Sequence, residues 1–329
     1  MRIQTDNIRI IRLHAGNFRE DSLDAFILRQ RVTRCWRKCA GTYILQPVQY
    51  VEEWDMNARR DRARKILDAL GGGAIAFGAV AADTVIGYAL VGNELFGSGR
   101  QYADLADFYV SEPFRRRGIG KRLFGAICEA AKTAGARKLY VSAHSAEESI
   151  AAYTKYGCVL AEEPDAAHAE KEPYDLQLEY DLYVRVYEAA KKEAYWPLLL
   201  SADEQKDMVE RYLYRGTMFV LDDGGVRGEI VVTDEGNGVL EIKNLAVLPE
   251  FQHRGYGRKL IEFVCMRYRG AFSVIQAGTG DSPLTRPFYE KCGFTISHTV
   301  KDFFTDNYDH PVIEAGIQLK DMIYLKKKL

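Results

Sequence analysis

Apolar residues along the chain switch repeatedly between a period of two and a period near 3.6, which marks alternating strands and helices. Ile8–Leu13 alternates as a strand, while Asp21–Lys38 and Ala58–Leu70 read as helices. Ala74–Phe77 and Val85–Val91 flank Ala82-Asp83-Thr84, a hairpin signature. A strand over 104–110 runs into a glycine-bearing loop and then a helix whose apolar stripe is Leu123, Phe124, Ile127, Cys128 and Ala131. Lys138–Ala143 follows as a strand, Glu147–Tyr156 as a helix and Asp175–Leu182 as a strand.

The order then begins again. Tyr183–Tyr187 is a strand, and Gly216–Leu221 and Arg227–Thr233 surround the turn Asp222-Asp223-Gly224-Gly225. Leu260, Ile261, Val264, Cys265 and Tyr268 form the next helical stripe, followed by Phe272–Ala277, a helix near Arg286–Lys291 and the strand Met322–Leu325. Residue identities repeat as well. Asp104-Leu-Ala-Asp107-Phe-Tyr-Val110 returns as Glu241-Ile-Lys-Asn244-Leu-Ala-Val247, and Gly118-Ile-Gly120 as Gly255-Tyr-Gly257, both displaced by 137 residues (241 − 104 and 255 − 118). A long fixed offset of this kind is a duplicated domain rather than a solenoid. The chain therefore divides into domains 1–182 and 183–329, each a mixed, mostly antiparallel central sheet flanked by helices, in the α/β (α+β) class.

The length of 329 residues suits two cores of about 150 residues each. The net charge of −1 provides no overall field for nucleic acid or an anionic membrane, so neither is expected as a partner. The six cysteines form no CxxC and no zinc spacing with histidine, so they read as ordinary thiols and no metal is expected. Met1–Asp6 lacks the apolar run of a secretion leader, and no stretch is apolar enough to span a membrane. A cytoplasmic monomer or homodimer is the expectation.

The motif that carries chemistry is [Gln/Arg]-x-x-Gly-x-Gly between a strand and a helix. Arg115, Arg116, Arg117, Gly118, Ile119 and Gly120 form it first, with Lys121 adding charge after it; Gln252, His253, Arg254, Gly255, Tyr256 and Gly257 form it again, with Arg258 adding charge after it. Glycine permits a backbone turn with φ > 0 and lets a ligand approach closely. A helix N-terminus beyond it offers unpaired N–H groups and partial positive charge, which suits phosphate. Downstream, Tyr153-Thr-Lys-Tyr-Gly157 and Tyr289-Glu-Lys-Cys-Gly293-Phe294 recur in matching places.

With these two features repeated, the sequence resembles a tandem of GNAT-superfamily N-acetyltransferase domains, over nearly the whole of both units. The resemblance implies acetyl-CoA as co-substrate, with its diphosphate on the glycine loops. Its pantetheine arm would lie along Phe108, Tyr109 and Val110 in one unit and Leu245, Ala246 and Val247 in the other, like an added strand. The N–H of Val110 or Val247 would face the acetyl carbonyl. Related enzymes take the amine proton with an acid on the preceding strand, which maps to Asp104 or Asp107 and to Glu241. They return a proton to the thiolate from a helix tyrosine, which maps to Tyr153 and Tyr289. Asp104 and Asp107 are three apart and so are expected on opposite faces of their strand.

The acidic segment Glu162–Glu172 and the acidic, aromatic segment Asp302–His310 suit a cationic acceptor. The implied reaction is acetyl transfer to a primary amine of a small cationic molecule by direct attack in a ternary complex. A protein or peptide acceptor, or one unit serving as a non-catalytic acyl-CoA module, is the alternative. Trp36, Trp54 and Trp196 read as helix residues turned to a core or interface, and Lys326–Lys328 as a solvated tail.

Overall fold

In the computed structural model, which describes residues 8–329, the chain forms two compact units, Met1–Tyr183 and Val184–Leu329. Met1–Asp6, where no leader is expected, lies outside the described residues. Among the described residues, no helix is long and apolar enough to cross a membrane.

The first unit contains β1 (Arg9–Leu13), β2 (Arg29–Cys39), β3 (Thr42–Glu53), α1 (Met56–Gly71), β4 (Ile75–Ala81), β5 (Thr84–Phe96), β6 (Tyr102–Val110), α2 (Ile119–Thr133), β7 (Lys138–Ala143), α3 (Glu147–Tyr156), β8 (Val159–Leu160), α4 (Ala166–Lys171) and β9 (Leu176–Asp181). Its main sheet has the order β1-β4-β5-β6-β7-β9-β8 and is antiparallel except between β6 and β7. Apolar residues of α2 (Ile119, Leu123, Ile127, Ala131) are fully buried, so this helix closes one face. The other face is closed by a core of Phe18, Leu23, Phe26, Trp54, Ile66 and Tyr88, carried partly on α1.

The second unit contains β10 (Arg185–Glu188), α5 (Trp196–Leu199), α6 (Lys206–Leu213), β11 (Thr217–Asp222), β12 (Val226–Asp234), β13 (Val239–Val247), α7 (Tyr256–Tyr268), β14 (Val274–Gly280), α8 (Thr285–Lys291), β15 (Thr295–Val300), α9 (Phe303–Asn307), β16 (Ile313–Glu314), β17 (Ile317–Gln318) and β18 (Met322–Lys328). Its main sheet, β10-β11-β12-β13-β14-β18-β15, is again antiparallel except between β13 and β14. Leu199, Val209, Tyr212, Leu213, Met218 and Val231 form the core on the α5–α6 side.

Some expectations fail locally. Asp21–Lys38 is not a helix: residues 29–39 are β2, paired with β3 through a two-residue turn in which Ala40 and Gly41 have φ of 48° and 83°. Val32, Cys35 and Trp36 are its buried residues, at helix-like spacing, because a bulge between Val32 and Arg34 interrupts the alternation. Trp36 is therefore a strand residue, and Trp54 lies between β3 and α1. The second unit does not repeat this hairpin; α5 and α6 precede its central strands instead. Lys326–Lys328 belongs to β18, and Lys327 Nζ donates to the Cys292 carbonyl at 2.7 Å.

Candidate active site

In both units the parallel pair of strands is joined for only part of its length. β6 pairs with β7 over Tyr102–Asp104, and β13 with β14 over Val239–Ile242. Beyond those points the strands separate into a wedge. The break coincides with a bulge in each unit, where Leu90 and Val91 face Asp107 and Leu105, and Val231 and Val232 face Asn244 and Ile242. Ala106 and Lys243 are the extra residues, and bending there opens the edge.

The backbone along this edge is oriented by its other neighbour. The Ser111 amide donates to the Ile86 carbonyl at 2.9 Å and the Leu248 amide to Arg227 at 2.8 Å. Alternation along an antiparallel pair then turns Tyr109 and Ala246 toward the same neighbours. It turns the amides and carbonyls of Phe108, Val110, Leu245 and Val247 into the wedge. Tyr109 and Ala246 thus have no main-chain groups on the open side, a correction to their place beside the other two in each triplet.

At the mouth of each wedge lies the glycine loop. Arg116 and Gly118 have φ of 59° and 77°; His253 and Gly255 have 60° and 84°. These left-handed residues turn the chain directly into α2 and α7, whose first amides lack intrahelical partners. A Cβ on Gly118 or Gly255 would meet no atom within 4 Å, so the space outside is open. Gly120 and Gly257 serve differently: a Cβ there would lie 2.5 Å from the Tyr156 hydroxyl and 3.0 Å from the Phe288 ring. Close packing on the next helix, as well as access for a ligand, therefore explains these second glycines.

The loop side chains divide in the same way. Arg115 Nε donates to the Val110 carbonyl at 3.0 Å, and Gln252 Nε2 to the Val247 carbonyl at 3.1 Å. These first residues brace the loop against its strand and are not projecting charges. Arg258 donates to the Lys291 carbonyl, and the Arg117 and Arg254 guanidinium groups lie over Phe114 and Phe251. Tyr256 is buried and donates to Asp223. Arg116, Lys121 and His253 are exposed at the loops.

Tyr153 on α3 has its ring 6.0 Å from Phe108, and Tyr289 on α8 is buried between Phe288 and Phe294. Burial raises both hydroxyls above the usual tyrosine value, and Glu229 adds to the effect on Tyr289. Both phenols therefore keep their protons at neutral pH.

The acids do not sit as the residue spacing implies. Asp104 and Asp107 share a face, because the bulge at Ala106 reverses the alternation between them. Asp104 lies in the paired part of the strand and is 3.3 Å from His168 Nε2; Asp107 accepts from Arg62 at 2.8 Å. Burial raises both carboxyls, opposed by His168 and by Arg62. Glu241 also lies in the paired part, held by Lys243 at 2.6 Å and Gln276 at 2.5 Å.

Sequence reasoning passed over Glu229 on β12. It is fully buried, opposite Ala246, and its two carboxylate oxygens have no hydrogen-bond partner. Burial pushes it up to about 8, opposed by the Ala246 amide, which lies outside hydrogen-bond geometry. Its signal in the sequence is an acid immediately before the apolar run Ile230-Val231-Val232. The matching place in the first unit, opposite Tyr109, is Tyr88. There the charge in the wedge is the Arg62–Asp107 pair, with Arg62 also over Trp54 and Tyr109. Arg62→Met is expected to destabilise the first unit by about 1–3 kcal/mol, because it strands a buried carboxylate. Urea denaturation measures this, and the loss should shrink in an Asp107→Asn background.

Two stretches match models of one family. Residues 36–158 match the Acetyltransferase (GNAT) family, and residues 214–296 match the Acetyltransferase (GNAT) domain. The chain belongs to the GNAT acetyltransferase family. Its GNAT relatives include the uncharacterized N-acetyltransferase YvbK of Bacillus subtilis (strain 168), 35% identical over 147 residues, which are 44% of this chain and 94% of that protein. An IAA acetyltransferase from Bacillus cereus ATCC 14579 is 35% identical with a TM-score of 0.42, over 44% of this chain and 99% of that one. A GNAT family acetyltransferase from Elizabethkingia anophelis with acetyl-CoA bound is 32% identical with a TM-score of 0.43, over 45% and 99%. The 147 residues matched by YvbK are close in length to the second unit, Val184–Leu329.

Proposed function

We propose that this GNAT enzyme moves the acetyl group of acetyl-CoA to a primary amine of a small cationic molecule, by direct attack in a ternary complex centred on the C-terminal unit. The observation that carries the reading is the wedge between β13 and β14, where the Leu245 and Val247 amides point into a gap ending at the Gly255 loop. An extended amide-bearing arm can pair with that edge as a further strand. Its diphosphate then meets the first amides of α7.

Chemistry follows from this placement. An aliphatic ammonium must lose a proton, which costs about 4–5 kcal/mol at neutral pH. A wedge amide donates to the acetyl oxygen as negative charge develops there, a type of contact worth about 3–4 kcal/mol. The C–S bond then breaks, and Tyr289 gives its hydroxyl proton to the departing sulfur. Tyr289→Phe should lower kcat by about 100-fold or more while leaving acetyl-CoA affinity unchanged. Thiol release followed with DTNB, together with calorimetry, measures both. An unchanged kcat would reduce Tyr289 to a packing role.

A second reading concerns the N-terminal unit alone: an acyl-CoA-binding module without acetyl transfer of its own. Two observations favour it. Asp107 is neutralised by Arg62, which also places a fixed cation on that face. The β2–β3 hairpin is tied to the segment after β7, with Trp36 N–H donating to the Ser145 carbonyl at 2.8 Å and Arg34 paired with Glu147. Acceptor screens with peptides, polyamines and aminoglycosides, run with each glycine loop disabled in turn, test both readings.

A further inference from the structure

We propose that Glu229 and the side-chain carbonyl of Asn244 hold the acceptor ammonium in the C-terminal unit, and that Glu229 removes its proton. This rests on the acetyl-transfer reading above and deepens it.

The argument starts from unmet hydrogen-bonding capacity. Asn244 Nδ2 donates to the Leu199 carbonyl at 3.0 Å and to the Tyr212 hydroxyl at 2.8 Å. A carbonyl only accepts, so the orientation of this amide is determined and Oδ1 must face elsewhere. Asn244 Oδ1 is buried without a donor, as are both oxygens of Glu229. Leaving buried acceptors unpaired is costly, and native proteins seldom tolerate it without a reason. The two residues occupy adjacent strands, with Glu229 opposite Ala246 and Asn244 opposite Val231. They therefore share a face as diagonal neighbours, about 7–8 Å apart at the backbone. With Glu229 ionised, these three unpartnered acceptors on one face match the three N–H donors of a primary ammonium.

The face is the one an acceptor would use. Val247, on the opposite face, packs against α7, beside Gly257, whereas Asn244 faces α5 and α6. Acetyl-CoA entering along α7 and an amine entering past α6 would meet at the β13 edge between them. The groups facing Glu229 are Tyr212 from α6 and Tyr289 from α8, with the carboxylate of Asp203 behind Tyr212. Asp203 also accepts from Tyr308, so the approach is lined by acid and aromatic rings, which favours a cation. In the N-terminal unit the equivalent positions carry Tyr88 and the Arg62-paired Asp107, which leaves no carboxylate for the same task.

The proton count closes. Ionised Glu229, the form that prevails above about pH 8, takes one proton from the ammonium, and the freed lone pair forms the C–N bond. The C–S bond breaks, and sulfur receives the Tyr289 proton. The second proton of the nitrogen restores Tyr289, and Glu229 returns its own to solvent as products leave.

The test compares wild type with Glu229→Gln, an isosteric change, using spermidine and hydroxylamine as acceptors. Hydroxylamine is largely unprotonated at neutral pH and needs no base. Glu229→Gln should bind acetyl-CoA as wild type does, lose about 100-fold or more in kcat/KM for spermidine, and keep hydroxylamine acetylation within a few-fold. Wild-type kcat/KM for spermidine should rise as pH passes about 8, and the variant should lack that limb. Spermidine turnover unchanged in the variant, with the limb intact, would overturn the role of Glu229. A wild-type chain that binds acetyl-CoA but neither binds nor acetylates spermidine would overturn the assignment of this face to an ammonium. Failure of wild type to bind acetyl-CoA at all would instead remove the acetyl-transfer reading beneath it.

Discussion

Replacement of Gly255 by glutamate is expected to abolish coenzyme A binding at the C-terminal unit and to leave the N-terminal unit unaffected. Two effects combine. Gly255 has φ of 84°, and a residue with a Cβ pays about 1–2 kcal/mol to adopt that conformation. The new side chain meets no protein atom within 4 Å of its Cβ, so it folds without a clash and projects into the open space beside the first turn of α7. A carboxylate there opposes the diphosphate and draws on the same amide hydrogens. The combined loss should be at least about 3 kcal/mol, or more than 100-fold in Kd. Calorimetric titration of wild type should show two coenzyme A sites per chain, and Gly255→Glu one. Gly118→Glu should remove the other. Gly255→Ala, which carries only the conformational cost, should give a milder loss. Two intact sites in Gly255→Glu would separate the glycine loop from the diphosphate altogether.

The second large effect is on stability, and its sign follows from the buried carboxyl. Glu229 is raised by burial to about 8 from an ordinary 4.5. Between those values the native state holds a proton that the unfolded chain has released. Wild-type stability therefore falls as pH rises from 4.5 toward 8, and the loss persists above it. Glu229→Gln has nothing to ionise and escapes this fall. A tenfold difference in proton affinity between the native and unfolded chains corresponds to about 1.4 kcal/mol, so the full effect is a few kcal/mol once relaxation is allowed for. At about 2–4 °C per kcal/mol for a domain of this size, the variant should melt several degrees above wild type at pH 9. At pH 5 the two should melt together. Equal melting at both pH values would show that Glu229 is solvated or paired. A variant that gains stability while losing turnover has the behaviour expected when a strained group is kept for function.

Local features of this kind differ in how far the sequence displays them. The glycine turns are legible because left-handed backbone and unpaired amides depend on a few consecutive residues. The helices α2 and α7 are legible from their stripes, since Leu123 and Ile127, and Leu260 and Val264, are buried where periodicity places them. Repetition strengthened both, because the strand and loop keep one offset through the two units. The β2–β3 hairpin was hidden by its bulge, which imitates helical spacing. Asp104 and Asp107 were placed on opposite faces by simple alternation, and the bulge at Ala106 put them on one. Glu229 was hidden twice over: it falls outside the 137-residue register, and an acid in a strand ordinarily marks a solvent face.

By itself, then, the sequence determined the duplication, the order of most elements and the two loops able to receive a diphosphate. These depend on short-range backbone geometry and on the period of burial, both carried by neighbouring residues. Tertiary structure decided which carboxylates are neutralised and which is left unpaired. That outcome depends on residues far apart in the chain, such as Arg62 reaching Asp107 and Leu199 orienting Asn244. Charge, unlike periodicity, takes its meaning from what folding places beside it.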